Sequence, residues 1–400
     1  MKTIEFHILQ NFPPSNLNRD DSGAPKDCDF GGYRRQRISS QCLKRSVRQS
    51  DVFRELLDGR LGIRTKRAPE QVAQRLVAGG YQDAPARAAA EALFDALYKL
   101  DENGKTKYLL YVGTEELQRA ATLLIDAGPE LVATAERLAA LSTEMTSLPK
   151  KEREAKQKEL VEATKPFAAL AEQYKKQYPR HVRSVDVALF GRMLADNPTE
   201  NIDAACQVSH ALSVNRLNME FDYFTAVDDI PNEDNNPGAG MIGTVGFASS
   251  CFYRFACVNV DLLTRNLGGD AAAAHEGILA FAEAFVQARP SGKQNTFAAH
   301  SLPALVLVVA REAGQPVSLV NAFEVPIRPT EKAGLTAGAI RALGRHYAQL
   351  GQMYGLRGNA ACVVLDGADS EAIIALRDAG VTAHAGVPDL LASLRTTLTA

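Results

Sequence analysis

The residues best suited to chemistry crowd into positions 26–54. Eight lysines and arginines there (Lys26, Arg34, Arg35, Arg37, Lys44, Arg45, Arg48 and Arg54) face three acids (Asp27, Asp29 and Asp51), although the 400-residue chain carries a formal net charge of −2. Gly31-Gly32 precedes Arg34, Arg35 and Arg37, and Ser39-Ser40 opens a helical pattern. On that helix Gln41, Lys44, Arg45 and Arg48 share one face, while Leu43, Val47 and Phe53 lie on another and can meet a core. A flexible basic loop, a helix start and an arginine-rich stripe all attract anions. The helix dipole and free N–H groups favour a phosphate, and guanidinium forks grip its oxygens in pairs. One basic patch on a near-neutral chain suits a specific polyanion better than indiscriminate nucleic-acid binding.

Other chemistry is poorly represented. The chain has no phosphate-loop Gly-Lys-Ser/Thr, no His-Glu-x-x-His and no Gly-x-Ser-x-Gly. Gly238, Gly240, Gly243 and Gly246 match a nucleotide loop in glycine count only. His210, placed on an expected helix over 201–212, reads as a satisfied helix histidine, and His300 has no acid partner in sequence. Asp20-Asp21 can hold a divalent metal for phosphodiester cleavage, but paired acids in a loop are more often turn formers; the same holds for Asp228-Asp229. Six cysteines at 28, 42, 206, 251, 257 and 362 lack ligand spacing and read as reduced thiols of a cytoplasmic protein. No signal-peptide pattern or apolar run long enough to cross a bilayer is seen. Phe221, Tyr223 and Phe224 supply aromatic groups that can stack on bases. Phe224 falls on the acidic side of its strand and is the expected exposed ring; for Phe221 and Tyr223, core packing and stacking are equally compatible.

Around these residues the alternation of Ile4, Phe6 and Ile8 predicts an opening strand with one buried face. The basic helix runs to about residue 57. Residues 60–180 form a helical insertion, with helices at 68–78, 84–99, 115–127, 129–142 and 149–178, the last interrupted at Pro166, and a short strand at 107–112. Strands are expected at 184–190, 217–227, 251–260, 305–309, 317–325 and 361–365, with a helix over 201–212, a mobile acidic loop over 228–246 and a strong helix over 271–287. A polar loop at 289–296 carries Lys293. Later helices fall at 335–353, 369–379 and 387–398. Without the insertion, the order 3–9, 40–57, 184–190, 250–260, 271–287, 304–310 reads βαββαβ, the ferredoxin-like plan of RNA-recognition domains.

Several ordered motifs resemble the CasC family. They are Leu17-Asn18-Arg19-Asp20-Asp21; Phe30-Gly31-Gly32 with Arg34-Arg35-Gln36-Arg37-Ile38-Ser39-Ser40-Gln41; Leu43-Lys44-Arg45 with Arg48; Val185 to Met193; Phe224-Thr225-Ala226-Val227-Asp228-Asp229; Phe252-Tyr253-Arg254; Asn266-Leu267-Gly268-Gly269; Lys293-Gln294 with Thr296; and Asn321-Ala322-Phe323-Glu324. CasC is the repeated backbone subunit of the type I-E CRISPR surveillance complex, Cascade. The resemblance implies an α+β protein with an RNA-recognition-like palm (1–59 and 181–400), helical fingers (60–180) and a thumb at about 213–248. It also implies a non-catalytic role without cofactor or metal. Copies would line up along CRISPR RNA (crRNA) with other Cascade subunits, kinking the RNA so that exposed bases pair with target DNA. By the same match, Arg19, Lys26, Ser39, Ser40, Gln41, Lys44, Arg45, Arg48, Lys293 and Gln294 contact RNA, joined by Arg34, Arg35 and Arg37 from the basic segment. Met193, Phe224, Thr225 and Val227 wedge at the kink. Cys42 stands where the family pattern has serine. Two alternatives remain: a metal-dependent ribonuclease subunit of the type III kind using Asp20 and Asp21, and a general RNA-binding module.

Overall fold

The computed structural model describes residues 2–147, 149–176, 182–194, 197–227, 239–331, 333–367 and 370–400. In chain order the strands are β1 (Thr3–Ser15), β2 (Asp27–Phe30), β3 (Tyr33–Ile38), β4 (Gly62–Thr65), β5 (Leu110–Gly113), β6 (Cys206–Val208), β7 (Ala211–Ser213), β8 (Glu220–Val227), β9 (Ala239–Asn259), β10 (Leu305–Arg311), β11 (Asn359–Val364) and β12 (Thr382–Ala383). The helices are α1 (Ser40–Gln49), α2 (Asp51–Leu56), α3 (Ala68–Ala78), α4 (Asp83–Tyr98), α5 (Thr114–Asp126), α6 (Pro129–Ser147), α7 (Lys150–Lys176), α8 (Val185–Phe190), α9 (Val260–Asn266), α10 (Ala271–Gln287), α11 (Gln294–Phe297), α12 (Leu335–Tyr354), α13 (Ile374–Asp378) and α14 (Val387–Thr399). The protein is α+β. Among the described residues no helix is long and apolar enough to cross a membrane.

The chain divides into two compact units. The first comprises Met1–Leu56, Cys206–Asp261 and His275–Ala400. Its sheet runs β12-β11-β10-β1-β9-β7-β3-β2, with β6 and β8 also on β9. All of these pairs are antiparallel except β11–β12. Strand β1 is buried on both faces, not one. Phe6 packs edge-on to Phe281 of α10, with ring centroids 5.6 Å apart. On the other face Leu9 joins Tyr253, Leu307, Ile340 and Leu343 in an apolar cluster. Glu5 and His7 alternate with apolar residues and so read as an outer face, but partners inside the fold satisfy them.

The second unit comprises Leu57–Ala205 and Leu262–Ala274. Its core gathers Val72 and Leu76 from α3, Leu93 and Phe94 from α4, Leu117 and Leu124 from α5, and Phe167 from α7. Pro166 does not interrupt α7. The stripe that follows it (Phe167, Ala171 and Tyr174) is buried in the same core, and that burial offsets the lost backbone hydrogen bond.

Four expectations fail here. Residues 185–190 are helix α8, not a strand. The run is buried throughout, so it carries no period to separate the two forms. Residues 201–212 are not a helix; β6 and β7 occupy the run because β9 offers its edge to both. Residues 317–325 hold a 3-10 turn at Val320–Phe323 instead of a strand. The helix at 40–57 is also two helices, broken at Ser50, whose backbone is extended and whose hydroxyl donates to the Val47 carbonyl.

Candidate nucleic-acid interface

The basic segment is built on a hairpin. Gly31 and Gly32 sit at φ +60° and +78°, the left-handed pair that a tight antiparallel turn requires. A Cβ on Gly31 would lie 2.1 Å from the Glu324 carbonyl oxygen, so only glycine fits. The loop expected to be flexible is therefore ladder-paired as β2 and β3, from Asp27↔Gln36 to Phe30↔Tyr33.

This hairpin sorts the three arginines. Arg34 is exposed and grips Asp27 with two nitrogens at 2.7 and 2.9 Å, and Asp29 at 3.4 Å. Arg35 is fully buried. Its guanidinium donates to the carbonyls of Ser213, Val214, Phe323 and Glu324 at 2.7–3.1 Å. A side chain spent in this way cannot reach RNA, so Arg35 is a structural pin that joins β3 to distant segments. Arg37 is half-buried; its Nε donates to the Asp27 carbonyl, and another nitrogen lies 3.1 Å from His210 Nδ1.

Helix α1 follows. Ser39 is its N-cap: the hydroxyl accepts from the Cys42 amide at 3.3 Å, while the Ser39 amide donates to Asn18 Oδ1 at 2.8 Å. Leu43 and Val47 are buried, as the helical spacing predicts. Gln41 and Arg45 are exposed, and Ser40, Cys42, Lys44 and Arg48 are half-exposed.

Residues 16–26 form a pinned loop. Asn16 Nδ2 donates to the carbonyls of Gly23 and Gly246, and the Lys26 amide donates to the Asn18 carbonyl. Asp20 Oδ1 accepts from the Ser22 amide, the Ser22 hydroxyl and the Ala24 amide at 2.8–3.0 Å. These bonds, the Ser22 hydroxyl first, lower the Asp20 pKa. Among the described residues no group of His, Cys, Asp or Glu is arranged to hold a metal ion.

The segment at 287–300 lies directly on that loop. A Cβ on Gly292 would fall 2.3 Å from the Leu17 carbonyl oxygen, so the absent side chain permits the contact. Gln294 Nε2 donates to Pro290 O at 2.9 Å, and Arg289 to His300 O at 3.0 Å. Together the two loops and α1 enclose a groove of about 1060 Å³. Arg19, Arg45 and Gln294 line it, as do Asp20 and Asp21. Lys26, Lys44, Arg48 and Lys293 are not among its lining residues. Arg289, Gln49, Ser46 and His300 also line the groove, and nothing in the sequence places them there; Cys42, which stands where the family pattern has serine, lines it too. Arg289-Pro290 reads only as a loop start, and Gln49 and Ser46 carry no signal.

The ribbon β8–β9 corrects the aromatic assignment. Phe221 and Tyr223 are 69% and 64% exposed. Phe224 is half-buried, its ring lying over Gly243, where a Cβ would come within 2.4 Å of it. Register places Phe221, Tyr223, Thr225 and Ile242 on one face, where Phe221, Tyr223 and Ile242 are exposed; Met241, also exposed, lies with Phe224 on the other. A two-stranded ribbon has no sheet behind it, so the acidic side of β8 need not be the outer one. The acidic loop from 228 to 238, with Asp228-Asp229, lies outside the described residues; 239–246 belongs to β9, not to a loop.

In the second unit Met193 is 85% exposed beside the buried Arg192. Arg192 donates to both Glu116 oxygens at 2.9 Å, to the Tyr111 carbonyl at 3.0 Å and to the Glu200 carbonyl. Its backbone exchanges two 2.9 Å hydrogen bonds with Ile202, and the Leu194 amide donates to Asn201 Oδ1. Met193 is thus an apolar tip on an anchored base.

A basic helix face, two interlocked polar loops and a long aromatic-bearing ribbon thus lie in one unit, on one mixed sheet. The chain belongs to the CT1975-like protein family, Cas_CT1975, whose model matches residues 4–390. Among solved structures it is similar to a chain of a "CRISPR RNA-guided surveillance complex, pre-nicking", at 30% identity over 99% of this chain and 100% of that chain, with TM-score 0.76. It also shares its fold with a chain of a "CRISPR RNA-guided surveillance complex", at 24% identity, 99% coverage of each and TM-score 0.59. No curated protein matches it.

Proposed function

We propose that this chain is the non-catalytic, crRNA-binding backbone subunit of a type I-E, CasC-kind surveillance complex. Copies of it would line up along the RNA beside the other subunits, leaving bases free to pair with target DNA. The observation that carries the reading is the groove of about 1060 Å³, where the basic helix and both loops singled out in the sequence converge. The end-to-end likeness to a surveillance-complex chain supports it. The palm reading rests on the order β10-β1-β9-β6 with α1 and α10 in the crossovers, the arrangement of an RNA-recognition domain. In this reading the fingers are residues 60–180, which lie within unit two together with 181–205 and 262–274 of the expected palm, and the β8–β9 ribbon belongs to the thumb.

Backbone grip falls to Arg19, Lys26, Arg37, Ser40, Gln41, Lys44, Arg45, Arg48, Lys293 and Gln294. Arg34 joins them, since an exposed ion pair is weak and easily exchanged for phosphate. Arg35 is left out. Met193, Phe224, Thr225 and Val227 are the kink residues, with Phe221 and Tyr223 as stacking surfaces. Sequence-independent grip of this kind holds phosphates and delegates reading to base pairing.

The test is single-stranded RNA binding against salt. The Lys44→Ala/Arg45→Ala/Arg48→Ala variant should bind more weakly, and its salt slope should be flatter by about 2, at roughly 0.7 per charge. Unchanged binding would remove the basic face of α1 from the reading. Against a ribonuclease stands Asp20, whose Oδ1 already accepts three hydrogen bonds. Cleavage of complementary RNA with Mg²⁺, abolished by Asp20→Ala, would overturn the non-catalytic assignment.

A further inference from the structure

His210 is not a helix histidine. It lies between β6 and β7, exposed, and the register Arg37↔Leu212, Ile38↔Ala211 sets it opposite Ser39, at the point where β3 passes into α1. Its Nδ1 is 3.1 Å from an Arg37 guanidinium nitrogen. Guanidinium only donates, so Nδ1 must accept, and the imidazole proton resides on Nε2. Lys26 and Arg37 are the charged groups that act on this ring, and both are cationic. Lys26 acts on Cys42 of the groove as well, together with Arg45. The backbone links them: the Lys26 amide donates to the carbonyl of Asn18, a groove-lining residue, at 2.8 Å, and the Arg37 amide donates to the Lys26 carbonyl at 2.9 Å.

No carboxylate answers these charges among the described residues. Asp27, the nearest acid in sequence, spends both carboxylate oxygens on Arg34 and offers Arg37 only its backbone carbonyl. Arg37 and the His210 N–H thus meet, with Lys26 joined to Arg37 through the backbone, and among the described residues neither cation has an ion-paired carboxylate.

We infer that Lys26, Arg37 and His210 form a phosphate subsite that extends the proposed groove, and that RNA binding there takes up a proton on His210. This rests on the RNA-binding reading above. Partial burial first, then Arg37 and Lys26, lowers the imidazole pKa, so the ring is neutral in the free protein near pH 7. A phosphate placed among the three reverses the sign of the local field and favours imidazolium. On protonation Nδ1–H and Arg37 become competing donors, and the phosphate oxygens accept from both.

The experiment is anisotropy of a fluorescent oligouridylate with the full chain at fixed ionic strength, from pH 7.5 to 5.5. Wild type should tighten by several-fold as the pH falls, within the limit of about tenfold per pH unit for one linked proton. His210→Gln keeps an acceptor and a donor but cannot titrate. It should bind like wild type at pH 7.5 and lose most of the tightening. His210→Ala should be weaker by about 3- to 10-fold at every pH, the scale of one lost phosphate contact. His346→Gln, on α12 and outside the groove lining, should keep the wild-type pH profile. Equal profiles for wild type and His210→Gln, or loss of tightening in His346→Gln alone, would overturn the subsite. If wild type does not bind the oligomer, the RNA reading fails instead.

Discussion

Each unit buries an arginine against a glutamate, and the two pairs answer pH in opposite directions. In unit one Glu5 meets Arg311 at 2.6 and 3.2 Å and His7 at 3.4 Å. His7 Nδ1 lies 2.8 Å from the Tyr253 hydroxyl, which accepts from the Leu319 amide. In unit two Arg192 meets Glu116, but a second carboxylate, Glu200, is close by, taking the Tyr98 hydroxyl at 2.6 Å. One acid faces two basic groups in the first cluster, and two acids share one cation in the second. Burial acts against the Glu5 carboxylate, but His7 and Arg311 outweigh it and hold the pKa below its ordinary value. Burial also lowers that of His7. Burial raises Glu116 and Glu200, and a single arginine does not compensate for both. The number of cations per buried acid sets the sign.

The largest test removes the shared cation. Arg192→Ala strands two carboxylates and should cost unit two about 3–5 kcal/mol, the range for breaking a buried pair. It should also release the Met193 tip. Peptide-resolved hydrogen exchange reads each unit separately, which a single melting curve cannot do for a chain of two units. A loss below about 1 kcal/mol would mean that the cluster is wetter than its burial indicates. Next, Glu5→Ala should destabilise unit one by about 3 kcal/mol and leave the exchange of unit two unchanged.

A smaller effect comes from pH alone. Glu5 and His7 have lowered pKa values, so folded unit one binds fewer protons than its unfolded chain. Their contribution is full above about pH 6.5, the ordinary histidine value, and is lost as pH falls through the folded-state values. Glu116 and Glu200 have raised values, so their contribution is full below the ordinary carboxylate range and is lost as pH rises. Acidification from pH 7 to 5 should therefore weaken unit one relative to unit two. The scale is about 1.4 kcal/mol for each tenfold difference in a group's proton affinity between folded and unfolded chain. Parallel changes would refute the contrast. The smallest effect is expected for Glu200→Gln. Burial already favours the uncharged form there, so the change should stay within about 1 kcal/mol of neutral.

Some of the molecule is legible because its residues act locally. The face of Gln41, Lys44, Arg45 and Arg48 against Leu43 and Val47 follows from helical spacing. The spans 68–78 and 271–287 coincide with α3 and α10. Elsewhere local rules mislead. Glu5 and His7 mimic a solvated strand face because Arg311 and Tyr253, far along the chain, satisfy them. Arg35 sits among surface arginines in sequence but pins four carbonyls from distant segments. Phe224, the ring expected to be exposed, is half-buried because Gly243, on the partner strand, leaves room for it to lie flat.

By itself the sequence determined where positive charge collects and which faces of the long helices are apolar. Both follow from residue type and period, which travel with the chain. Only the tertiary structure decided which charges remain available. It buried Arg35, tied Arg34 to Asp27 and set His210 beside Arg37. It also laid Gly292 on Leu17, so that two loops from opposite ends of the chain enclose one groove with α1. Whether a side chain is a pin or a contact depends on which acceptors fold around it, and those acceptors come from other parts of the chain.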